Sequence, residues 1–133
     1  MHVAGVVDIE HKEMRLYRDG RRIATRSIAG DKLITSGNGA LRLGYAAGMV
    51  DAGQFYGLID DVRIWSCARS DGQIATAYRS VAQSDSPCLV VDWDFMRERE
   101  GSDRAAAVNA ASRYPEITAT LYDGATLFPR GRP

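Results

Sequence analysis

The residues able to do chemistry in this chain are few and widely spaced. Asp92 and Asp94 stand two apart in "LVVDWDF", Asp60 and Asp61 are adjacent in "YGLIDDVRIW", the thiols are Cys67 and Cys88, and the imidazoles are His2 and His11. Paired carboxylates can divide general acid and base work. Cleaving a glycosidic bond, however, needs them across a bound sugar at roughly 5 to 9 Å, with one pKa raised. Neighbours on one strand face, as Asp92 and Asp94 would be, more often line a solvated surface. A cysteine with His2 or His11 could supply nucleophile and base, but no local signature joins them. The spacing is not that of a metal site either, and one bridge or two free thiols are both open. The glycines of "SGNGALRLG" precede a strand pattern and not a helix, so a phosphate cradle would lack its dipole.

Asp60 poses a sharper question. Tyr56 to Trp65 alternates as a strand should, which puts Asp60 in phase with Leu58, Val62 and Ile64. Burying an isolated carboxylate costs on the order of several kcal/mol, so Asp60 is expected to ionise beside a cation, accept hydrogen bonds, or reach a wet edge. Asp61 points the other way with Arg63 and is expected to be solvated.

The elements that must position these groups read mostly as strands. At 133 residues the expectation is one domain, 1–133. Seventeen basic residues balance seventeen acidic ones, so the overall charge calls for neither nucleic acid nor an anionic membrane. No stretch approaches the roughly 18 uninterrupted apolar residues of a membrane span, and Met1 is followed by His-Val-Ala-Gly and not by a basic segment with an apolar run. As given, the chain is expected to be soluble, without an export signal, and hence cytoplasmic.

"HVAGVV" is a strand, and "EMRLYRDGRRIAT" is a hairpin around Asp19-Gly20, a dipeptide suited to a two-residue type I′ turn. Met14 and Leu16 are expected to face the core, with Arg15 and Tyr17 opposite. "LRLGY" resumes the alternation with Leu41, Leu43 and Tyr45 on one face. Ser70 and Gln73 fit a capping box for a helix over about 70–82, with Ile74, Ala77, Tyr78 and Val81 as its apolar stripe. Leu89, Val91, Trp93 and Phe95 share the core face of a later strand. A charged loop is expected over about 96–115, with a last strand or two around Asp123-Gly124. Short strands with turn signals and one accessory helix give an all-β antiparallel sandwich.

"HVAGVVD", "MRLYRDGRRIA", "LRLGY" and "GLIDDVRIWSCARSDGQI" together resemble the second half of a laminin-G-like, concanavalin A-like lectin or glucanase domain of the jelly-roll type. "SPCLVVDWDF" and "ITATLYDGATLFP" are similar to the closing strands of pentraxins, although "LVVDWDF" would also serve as the opening strand of a following repeat. The resemblance implies further strands ahead of "HVAGV", so the sandwich is expected to be incomplete. Its uncovered apolar face would then be met by homo-oligomerisation, strand exchange or a partner chain. The alternative is that the charged and alanine-rich segment folds back to close the gap.

The resemblance also implies that Asp60 could help hold a structural calcium ion with backbone carbonyls. Against this stands a salt bridge to an arginine or hydrogen bonds from backbone amides, the more usual fate of a buried charge. The pentraxin ligand site sits where this chain reads "YAAGMVDAGQ". Only Asp51 and Gln54 could coordinate there, so that site is expected to be absent. The acidic strand motif of the related glucanases does not occur. Family members are mostly extracellular. The leading expectation is therefore a non-catalytic lectin-like module binding glycan weakly through Tyr45, Asp51, Gln54, Tyr56 and Trp65, with aromatic faces stacking on sugar rings. The second is a structural or assembly protein whose interface is its function, and a glycoside hydrolase comes third.

Overall fold

The computed structural model describes residues 1–29, 41–44, 55–80, 82–95 and 106–120. Three antiparallel strands, β1 (Val3–Asp8), β2 (Glu13–Arg18) and β3 (Arg21–Ser27), form one sheet in sequence order. A second sheet pairs β4 (Val62–Trp65) with β5 (Leu89–Trp93), and between them in the chain lies the helix α1 (Asp71–Ala77). A short ribbon joins β6 (Ala106–Ala107) to β7 (Ala119–Thr120). Among the described residues no helix is long and apolar enough to cross a membrane.

The β2–β3 hairpin turns at Asp19 and Gly20 with φ of 49° and 79°, as a type I′ turn requires. The amide of Asp19 donates to the His2 carbonyl at 3.0 Å, and the His2 amide donates to Asp19 Oδ1 at 2.8 Å, tying the chain's start to the turn. Gly20 is needed twice over. Its backbone is left-handed, and a Cβ there would lie 2.7 Å from Cδ1 of Tyr78, the helix C-cap. Gly20→Ala is expected to cost about 2 kcal/mol, since the left-handed backbone alone costs an L-residue roughly 1–2 kcal/mol. Urea melts of G20A, Y78A and the double variant check this, and the double variant should lose less than the sum because removing the ring removes the clash.

The sheet's faces are the reverse of those the hydropathy of β2 predicts. Tyr17 is 1% exposed and packs with Val6 and Ile74, whereas Met14 and Leu16 are about two-fifths exposed. The helix is what decides the face. It docks on the side carrying Ala4, Val6, Arg15 and Tyr17, and Arg15 can be buried there because carboxylates meet it. On the other side, Val3, Val7, Met14 and Leu16 are left in solvent.

α1 is shorter than its apolar stripe suggests. Ser70 Oγ accepts the Gln73 amide and the Gln73 side chain accepts the Ser70 amide, so the capping box forms; the helix then ends at Tyr78. Ile74 is buried and Ala77 and Tyr78 are half-buried, while Val81 lies outside the described residues.

Of the longer strands β5 is the most buried: Leu89, Val91, Asp92 and Trp93 are inside and Val90 is half-buried. β4 flanks it on one side. On the other runs the alanine-rich segment, where the Ala110 amide donates to the Asp92 carbonyl at 2.9 Å and Ala106, Ala107 and Ala111 are buried. Among the described residues this segment lies along β5. The solvated position expected for Asp92 is therefore corrected: the residue is 4% exposed in a strand paired along both edges. Asp92 is ionically matched instead, with Arg63 Nε 3.0 Å from its Oδ1.

Asn109 holds the flanking segment in place. Its Oδ1 accepts the amides of Asp92 (2.8 Å) and Ala111 (3.1 Å). Its Nδ2 donates to the carbonyls of Val90 (2.9 Å) and Tyr114 (2.8 Å), which uses its whole hydrogen-bonding capacity. A disulfide, Cys67–Cys88, with Cα atoms 5.7 Å apart, links the end of β4 to the start of β5 beside a Ser66–Cys88 backbone hydrogen bond of 2.9 Å.

Candidate functional site

Two surfaces and one buried network carry the polar and aromatic groups. The network was not foreseen from the sequence. Arg15, with its side chain almost wholly buried, reaches Asp8 Oδ2 at 2.9 Å and Asp71 Oδ1 at 3.4 Å. Its Nε stands 3.3 Å from Glu13 Oε1 without the alignment of a hydrogen bond. The Tyr17 hydroxyl donates to Asp71 Oδ1 at 2.6 Å, and Arg22 contacts Asp71 Oδ2 at 2.6 Å.

The pKa directions follow from these contacts. Asp71 is held below the ordinary carboxylate range, first by the Tyr17 hydroxyl and then by Arg22 and Arg15. Asp8 is lowered chiefly by the backbone amide of His11, and its contact with His11 Nδ1 at 3.0 Å raises the imidazole in return. Burial pushes the Tyr17 phenol up, helped by its hydrogen bond to Asp71. Carboxylates kept ionised among cations clamp a helix to a sheet, whereas a general acid at neutral pH needs a raised pKa. One sequence signal was available: Glu13, Arg15 and Tyr17 alternate on a single strand face, which a solvated strand does not require.

The first surface follows residues 41–44 and 55–61. Leu41 and Leu43 are exposed and belong to no strand, contrary to the alternation of "LRLGY". The Phe55 amide donates to the Gly44 carbonyl at 2.8 Å, and the Phe55 ring lies over Gly57. Tyr56, at 89% exposed, and Leu58, at 83%, project into solvent. Tyr45, Asp51 and Gln54 lie outside the described residues.

Asp60 is not buried in a strand, which corrects the expectation that made it a puzzle. The strand starts only at Val62 because Asp61 adopts φ of 52°, a left-handed conformation that aspartate tolerates and that breaks the alternation. Asp60 is exposed, and its Oδ1 accepts the amide of Asp61 at 3.0 Å. Among the described residues no three His, Cys, Asp or Glu side chains gather as metal ligands. Asp61 Oδ1 lies 3.9 Å from Arg63. Trp65 is half-buried at the end of β4, with the Arg69 guanidinium 4.1 Å above its ring centroid, so one indole face is already covered by a cation.

The second surface is the bare face of the β1–β3 sheet. The strand registers pair Val7 of β1 with Met14 of β2 and Gly5 with Leu16 and Ala24, and Val3 lies on the same face one pair further along. All four larger side chains are exposed, giving this face an apolar centre.

No curated protein and no solved structure matches the chain. A family model does: the laminin G-type model described as the concanavalin A-like lectin/glucanases superfamily matches residues 1–75, from β1 into α1. The match leaves β5 and the segments after it uncovered. It takes in the type I′ hairpin, the "DDVRIW" word and the helix cap, and with the antiparallel sheets described above it makes the fold an all-β sandwich. The chain belongs to the concanavalin A-like lectin/glucanases superfamily.

Proposed function

We propose that this chain is a non-catalytic, lectin-like binding module that takes a glycan on the segment leading into β4. The observation that carries this reading is the Tyr56 side chain, almost wholly in solvent next to the exposed ring of Phe55, on a segment pinned to Gly44. An aromatic face held out from a rigid scaffold is suited to stacking on a sugar ring, and superfamily membership supports it. Tyr45, Asp51, Gln54 and Trp65 are the further residues assigned to this site from the sequence. The carboxylates Asp8 and Asp71, lowered by their neighbours, support a non-catalytic reading. The Cys67–Cys88 bridge supports an oxidising compartment.

A glycan array followed by titration of the best hit tests the proposal. Tyr56→Ala is expected to weaken binding about tenfold, the worth of one aromatic stacking contact, with the thermal midpoint unchanged. Binding that ignores Y56A, or an array with no signal, sinks it. Adding calcium or a chelator to the same titration reports on Asp60.

A second reading, favoured by the bare face of the β1–β3 sheet, is an assembly module whose apolar layer is covered by another polypeptide, either a second copy or a different chain. It makes the interface itself the function.

A further inference from the structure

The bare sheet face has a charge pattern as well as an apolar centre. Reading across the three strands, Val3 stands beside Arg18 and Arg21, Gly5 beside Leu16 and Ala24, and Val7 beside Met14 and Arg26. Residues directly opposite share a face, so Val3, Val7, Leu16 and Met14 form a centre bordered by three exposed guanidiniums. No acid occupies these registers. Asp8 and Glu13 alternate onto the helix-covered face, and the Asp19 carboxylate is taken by the His2 amide. Arg18 and Arg21 stand directly opposite one another, a like-charge pairing that destabilises a sheet. Neither they nor Arg26 forms an ion pair with a described residue. Arg22, by contrast, faces the helix and meets Asp71 at 2.6 Å. The covered face pairs its arginine with Asp71, whereas among the described residues the three on the bare face meet no carboxylate beyond Asp19, whose charge reaches Arg18.

We propose that this face docks a polypeptide surface that is apolar in the middle and acidic at its margin, and not a second copy of this chain. The proposal rests on the assembly reading and names its partner's chemistry. Two copies meeting face to face would bring six guanidiniums together (three from each) as water leaves the contact, where like charges repel most strongly. An acidic margin would relieve the Arg18–Arg21 repulsion while the apolar centre is buried. Charge complementarity of this kind selects the partner and quickens its arrival.

The test uses the whole chain and a labelled synthetic peptide of alternating valine and glutamate, with the valine–lysine peptide as control, read by fluorescence anisotropy and by sedimentation of the chain alone. The glutamate peptide is expected to bind, more weakly as salt rises, and the lysine peptide not to bind. Reversing Arg18, Arg21 and Arg26 to glutamate should weaken glutamate-peptide binding about tenfold or more and admit the lysine peptide. Arg26→Glu alone, away from the turn, serves if the triple variant does not fold. Leu16→Glu should remove binding of either peptide with the circular dichroism unchanged. Equal binding of the two peptides, no binding of either, or indifference to the arginine reversals overturns the proposal. A self-associated species that Leu16→Glu dissolves overturns it too, yet upholds the assembly reading. A monomer that binds neither peptide removes both.

Discussion

Asn109→Ala is expected to destabilise the protein by about 3–5 kcal/mol, the largest loss from any single side chain described above. The residue is 4% exposed and uses both amide hydrogens and both lone pairs of its oxygen on backbone groups from β5 and the 110–114 segment. Each bond contributes only about 1 kcal/mol net, but truncation strands two N–H and two C=O groups, and each group left unsatisfied inside costs roughly 1–3 kcal/mol. Partial relaxation keeps the total below the sum. Asn109→Asp separates hydrogen bonding from packing. It has the same shape, still accepts from Asp92 and Ala111, and cannot donate to Val90 or Tyr114, so it should lose more than half as much as alanine. Urea denaturation followed by the Trp93 fluorescence of β5 checks both. An alanine variant within about 1 kcal/mol of the parent would mean that the segment after residue 106 is not held on β5 in solution.

Reducing the Cys67–Cys88 bridge is expected to cost about 3 kcal/mol. The bonded cysteines are 21 residues apart, and closing a loop of that length in the unfolded chain removes entropy worth roughly that amount on the chain-entropy account. The loop contains α1, so the bridge also limits how far the helix can stray from β4 and β5 when the sheets loosen. Cys67→Ser with Cys88→Ser should reproduce the effect of reductant, and the double variant should be insensitive to added reductant. At a slope near 1.5 kcal/mol/M, the urea midpoint would fall by about 2 M. Midpoints that coincide with and without reductant would show that the thiols are not bridged.

How much of this was legible in the sequence depended on how local each signal was. The Asp19-Gly20 turn, the Ser70/Gln73 capping box and the inward residues Leu89, Val91 and Trp93 each lie within a few residues and are all found, whereas Phe95, expected on the same face, is half-buried past the end of β5 with a left-handed φ of 53°. The face of β2 was misread because its hydropathy is outweighed by remote groups. Arg15 is buried by way of Asp71, 56 residues away, and no periodicity reports that. The alternation of apolar residues runs on through Asp61 and so puts Asp60 inside, but the left-handed backbone of Asp61 is invisible to a pattern of period two. Asp92 was read as solvated for want of any sign that Ala110 would pair beside it. Asn109 was hidden for the same reason, since its four partners come from β5 and from its own segment and meet only in the folded chain.

Asp71 joins three side chains of the hairpin, Arg15, Tyr17 and Arg22, across more than forty residues of sequence. That separation orders the events of folding. The two tight antiparallel pairings of β1, β2 and β3 are local and can form within microseconds, but the carboxylate has no seat until Arg15, Tyr17 and Arg22 already stand on one face. Docking of the helix is thus expected to follow the hairpin, which serves as the template on which α1 finds its place.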